Sequence, residues 1–135
     1  MTLYTSNKNQ LTKRGILIYL GITVFCLLFS NIYEYFSHNV YSGFMVFLAS
    51  IPFAGGLLPL LLIRLTSLPF PGRFAENAYH CGIATLTVGC CLTGVFEIYG
   101  SVSNLVKIYW IAGTLLCLLG IVTYTFSCMI VRHPR

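Results

Sequence analysis

This chain carries three acidic residues, Glu34, Glu76 and Glu97. Two of them, with His38 and Lys107, form the set best able to do chemistry. Ser30, Glu34 and His38 are spaced i, i+4, i+8, so they share one helix face while the helix lasts. Thr93, Glu97 and Ser101 repeat the pattern. Carboxylates beside a histidine and an ammonium group can bind a polar ligand or move a proton. The candidate ligand-binding residues are therefore Glu34, His38, Glu97 and Lys107. A network among them has a physical motive. Glu34 and Glu97 are expected near helix C-termini and Lys107 near an N-terminus. Each opposes the helix dipole, at about 0.3–1 kcal/mol when exposed, and mutual pairing would offset that. The alternative is three separately solvated charges.

Other chemistry finds little support. Haem b needs paired axial ligands, often two histidines at similar depth. His38 and His80 are expected at opposite membrane faces. His80, Cys81, Cys128 and His133 gather toward one face, but without the close-spaced pairs of a zinc site. Vicinal Cys90 and Cys91 are not the C-x-x-C of a redox centre. No phosphate-binding loop, dinucleotide motif or serine elbow occurs. No metal, no cofactor and no catalytic residue is expected, and the reading leans away from an enzyme.

The elements that position these residues follow from composition. The 135 residues, one domain in size, are 57% hydrophobic and 8% charged. Soluble domains are about 25% charged, so this chain needs lipid as solvent for its apolar faces. Charge-free intervals run over 15–33, 35–63, 77–96 and 108–131. Each is near or above the roughly 20 residues that cross a core about 30 Å thick. Backbone in lipid must satisfy its own hydrogen bonds, so each interval is expected to be helical. The fold class is all-α: a polytopic four-transmembrane-helix bundle with spans near 15–36, 43–64, 75–99 and 106–131. Residues 1–14 form a tail.

Basic residues favour the cytoplasmic side. Four spans put both tails and the middle loop on one face. That face holds Lys8, Lys13, Arg14, Arg64, Arg73, Arg132 and Arg135, and the other holds only Lys107. Both termini are expected in the cytoplasm, in the plasma membrane. This bias explains the net charge of +5. No basic residues cluster as a nucleic-acid surface would need.

Depth places the carboxylates. Glu34 lies 20 residues beyond Arg14 and Glu97 lies 21 beyond Glu76, roughly 30 Å at about 1.5 Å per residue. Both belong at the outer interface. Tyr33, Tyr35, Phe36, Tyr41, Phe44, Tyr99, Tyr109 and Trp110 crowd the same end, as an interfacial belt or a pocket wall. Glu76 reads as a charge that suits a helix start.

Within the spans, Pro52, Gly55, Gly56 and Pro59 predict a kink or partial break in span 2. Cys81, Thr85, Gly89 and Thr93 form a small-residue stripe on span 3. Gly113, Cys117, Gly120, Tyr124 and Ser127 form another on span 4. Small residues let helices approach closely in lipid, so spans 3 and 4 are expected to pair. The six cysteines all fall inside spans and read as small apolar packing residues. An offset of 63 aligns Glu34 with Glu97 and Ser30 with Thr93. This raises a duplicated helical hairpin as an alternative to two similar helix ends. Three functional classes fit: a ligand-binding or transport module with an outward-facing site, a non-catalytic accessory or immunity-type subunit, and a membrane redox subunit. The expected partners are the lipid bilayer and either another membrane protein or a second copy.

Overall fold

The computed structural model describes residues 2–37, 42–66, 72–101 and 103–132, with side chains at 2–12, 66 and 130–132 excepted. His38, Tyr41, His133 and most of the middle loop lie outside the described residues. The chain forms α1 (Thr2–Phe36), α2 (Gly43–Phe47), a π-helical segment (Ile51–Leu57), α3 (Leu58–Thr66), α4 (Arg73–Ile98) and α5 (Val106–Arg132). Among the described residues there is no strand. Four helical stretches are long and apolar enough to cross a membrane: Lys13–Phe36, Gly43–Leu65, Arg73–Ile98 and Val106–Met129. They fit an integral membrane protein, and their bounds lie close to the expected spans. The stretch expected as a tail is helical from Thr2 and continues α1.

Span 2 is the irregular one, and its sequence explains why. Pro52 has no N–H, and its ring crowds the carbonyl four residues back. The helix answers with a widened turn: the Leu58 amide donates to the Phe53 carbonyl, five residues away. Pro59 in turn has no N–H to offer the Gly55 carbonyl. The Tyr79 hydroxyl on α4 donates to that carbonyl at 2.8 Å. The two glycines let neighbours come close. A Cβ on Gly56 would collide with the Tyr19 ring, and one on Gly55 would stand 2.5 Å from Ile83 Cδ1.

Span 2 packs against both α1 and α4. One cluster joins Cys26, Met45, Leu48, Ala49 and Cys90, and the other joins Tyr19, Leu60 and Ile83. The buried Ser30 hydroxyl donates to the Met45 carbonyl at 2.8 Å and ties α1 to span 2. Cys90 Sγ donates to the Phe44 carbonyl at 3.1 Å. Beyond this core the outward faces are apolar: Leu17, Leu65 and Met129 are each more than 70% exposed. Such faces call for lipid.

The α4–α5 pair is the most extensive in the bundle. On its α5 side Gly113, Cys117 and Gly120 of the expected stripe face α4, whereas Ser127 is exposed. A Cβ on Gly113 would meet Leu86 Cγ at 2.7 Å, and one on Gly120 would meet Tyr79 Cβ at 2.8 Å. The α4 side differs from expectation. Tyr79, Gly82, Leu86, Gly89 and Thr93 face α5, whereas Cys81 is exposed. A stripe repeating every fourth residue drifts roughly 40° per step on a helix of 3.6 residues per turn. Gly89 and Thr93 of the expected stripe stay on the α5 face, and Cys81 does not. The two hairpins are also built differently, since α5 is regular where span 2 carries the π segment.

Candidate functional site

The end of the bundle that holds Glu34 and Glu97 was expected to be the site. Glu97 is exposed and accepts a hydrogen bond from Ser42 Oγ at 2.5 Å. Ser42 is 1% exposed and also caps α2, its hydroxyl accepting from the Met45 amide. Glu97 thus anchors the entry of span 2 against the exit of α4. Glu34 is different: its Oε1 is buried and has no hydrogen-bond partner among the described residues. Lys107 is exposed in the first turn of α5. Among the described residues no ion pair joins Lys107 to either glutamate. The structure therefore brings Glu97 to Ser42 and does not bring Glu97 to Lys107. Trp110 Nε1 donates to Thr93 Oγ1 at 3.2 Å, and its ring meets Phe44 edge-on at 6.1 Å. These aromatics tie helices together at this end.

The opposite end, marked by Arg14, Arg64 and Arg73, holds the better-built arrangement. Tyr19 on α1 reaches His80 on α4, with Oη 2.5 Å from Nδ1. The other ring nitrogen, Nε2, lies 3.6 Å from Glu76 Oε1. Glu76 and His80 stand four residues apart on one helix face. Tyr79 packs its ring against His80, with centroids 6.3 Å apart, while its hydroxyl holds the Gly55 carbonyl. Glu76, Tyr79 and His80 of this cluster line a cavity of about 290 Å³ between α3, α4 and α5. Its wall includes Gly56, Pro59, Glu76, Tyr79, His80 and Tyr124.

The geometry selects a tautomer. With Nδ1 protonated, a neutral His80 would turn its Nε2 lone pair toward the Glu76 carboxylate, and the two would repel. With Nε2 protonated, Tyr19 donates to Nδ1 and the Nε2–H faces Glu76. The second arrangement satisfies both contacts. At 3.6 Å the His80–Glu76 contact is longer than a good hydrogen bond. A second proton on His80 would turn it into an ion pair and would reverse the bond to Tyr19. The side chains of His80 and Glu76 are 32% and 37% exposed, so a ligand can reach both.

This cluster is not among the sites expected from the sequence, where Glu76 fits a helix-start charge and His80 fits neither a metal nor a haem site. The i, i+4 spacing of Glu76 and His80 was a usable signal. Tyr19, 61 residues from His80, gave none. Among the described residues no three His, Cys, Asp or Glu side chains converge as metal ligands would. Comparison with protein-family models, curated proteins and solved structures finds no match.

Proposed function

We propose that the protein is a small ligand-binding or transport module of the plasma membrane, with both termini in the cytoplasm. The orientation rests on the charge bias, seven basic residues on one face against one on the other. The observation that carries the functional reading is the apolar cavity at the basic end, with His80 and Glu76 among its lining residues and Tyr19 bonded to His80 from α1. Apolar cavities with a few convergent polar groups are the usual form of small-molecule sites. The π segment supports the reading, because such widened turns often mark functional positions. Glu97 and Lys107 are exposed at the other end of the bundle and remain candidate ligand contacts there.

Gentle purification from native membranes, followed by mass spectrometry of retained small molecules, tests the reading. A defined small molecule should co-purify with the wild-type chain and be lost from Glu76→Gln at equal protein yield. Retention of no small molecule by the wild type would count against a ligand-binding module.

A further inference from the structure

Beyond that reading, and not resting on it, we propose that a second groove, between span 2 and α5, holds one acyl chain of a phosphatidylethanolamine whose headgroup bridges Glu97 and Lys107. This groove lies over α4 in the aromatic half of the bundle, apart from the cavity beside His80. Its walls are Phe44, Phe47 and Ala54 of span 2 and Trp110 of α5, and its floor is Leu86 and Cys90 of α4. Phe44, Phe47 and Ala54 are exposed, so the groove opens sideways to lipid. A hydrocarbon chain lying in it packs against protein on three sides, and close packing is what holds apolar groups together in a membrane.

Length and charge select this occupant. The groove follows span 2 from Gly43 to Gly55, roughly 18 Å at about 1.5 Å per residue. That is little more than half of a core about 30 Å thick. At mid-depth Ile83 packs on Gly55 and the Tyr79 hydroxyl holds the Gly55 carbonyl, which closes α4 against span 2. A groove one leaflet deep fits an acyl chain, whereas a membrane-spanning helix would need the full depth. Its mouth carries one charge of each sign. Trp110 Nε1 donates to Thr93 Oγ1 across the antiparallel α4–α5 pair. Glu97 stands one turn from Thr93 and Lys107 one turn from Trp110, both toward the aromatic end, so the two charges flank the same opening. Both are exposed, and among the described residues neither has an ion-pair partner. A headgroup with a phosphate and a primary ammonium supplies the complement: the phosphate meets Lys107, and the ammonium N–H groups donate to Glu97. The charges stay at the mouth and only the chain enters the apolar groove.

The full chain in a mild detergent can be titrated with dioleoyl phosphatidylethanolamine, phosphatidylcholine and phosphatidylglycerol, with native mass spectrometry counting the lipids bound. The three share their chains and phosphate. Phosphatidylcholine keeps the cation without an N–H, and phosphatidylglycerol has no cation. One phosphatidylethanolamine should bind per chain, at least about tenfold tighter than the other two, as a charge-assisted hydrogen bond provides. That comparison needs no variant to fold. Glu97→Gln keeps an acceptor oxygen for Ser42 and should bring phosphatidylethanolamine down to the level of phosphatidylcholine. Lys107→Gln should weaken all three lipids. Ala54→Phe fills the groove from an exposed position and should weaken all three about tenfold, with both charges in place. Glu76→Gln should leave lipid binding unchanged, although it should release the ligand of the cavity beside His80. Equal binding of the three lipids in several copies would mean an ordinary lipid annulus and would overturn the site. A preference for phosphatidylglycerol would overturn the headgroup pairing. A lipid-free dimer would give the groove to a second copy of the chain. Each of these failures leaves the ligand reading of the other cavity standing.

Discussion

At the scale of single residues, contact distance decides more than residue type. Gly82 and Gly21 are both helical glycines, on α4 and α1. A Cβ on Gly82 would lie 2.7 Å from the Cys117 backbone nitrogen and 2.5 Å from its Sγ, whereas one on Gly21 would meet nothing within 4 Å. A backbone atom cannot swing aside as a side chain can, so α4 and α5 must separate. Gly82→Ala should cost about 1–3 kcal/mol, the range of overpacked cores. Gly21→Ala should be neutral or slightly stabilising, since alanine is the better helix former by about 1 kcal/mol. Thermal unfolding of both variants in the same detergent checks the contrast, and equal midpoints would sink it. Residue identities alone could not separate the two glycines. They equally could not find Tyr19, whose value lies in a partner 61 positions away. The charges at the aromatic end were legible, because depth follows from counting residues. Their partners were not. Glu97 is tied to Ser42 by the fold of span 2, and the dipole argument that favoured Lys107 carries no information about where Ser42 goes.

At the scale of elements, all four spans were legible, because charge-free length alone defines them. The break in span 2 was legible too, from Pro52 to Pro59. Its form was not: a proline announces a missing donor, but the helix can respond by kinking, breaking or widening. Here it widens, and α4 supplies the missing donor. That arrangement yields a test. Tyr79→Phe leaves the Gly55 carbonyl without its 2.8 Å partner and should cost about 1–3 kcal/mol, as for a buried acceptor stranded without a donor. Pro59→Ala restores an N–H four residues beyond Gly55. In that background Tyr79→Phe should cost less, because the helix can then satisfy the carbonyl itself. A double-mutant cycle on unfolding free energy measures the difference. An interaction energy near zero would mean that the hydroxyl and the missing amide act independently. The small-residue stripe on α4 shows the opposite limit. Identity of type suggested Cys81, but the drift of a strict four-residue repeat carried it off the interface that Gly82 and Leu86 occupy.

At the scale of the whole molecule, orientation gives the cavity its meaning. The helices alone fit either direction across a bilayer. The asymmetry of basic residues breaks that symmetry. The face with Lys8, Lys13, Arg14, Arg64, Arg73, Arg132 and Arg135 should be the cytoplasmic one. The cavity beside His80 and Glu76 then opens near the cytoplasm, while the exposed Glu97 and Lys107 meet the outside. Two positions report on this without disturbing packing. Gly72 is exposed before α4, and a Cβ there meets nothing within 4 Å. Ser101 is exposed after α4, at the other end. In a background with the six native cysteines replaced, Ser101→Cys should react with a membrane-impermeant maleimide on intact cells. Gly72→Cys should react only after permeabilisation. The reverse pattern would place the His80 cavity on the outer face. Labelling of both positions on intact cells would mean that the chain inserts in both directions, so that the cavity faces each side in turn across a mixed population.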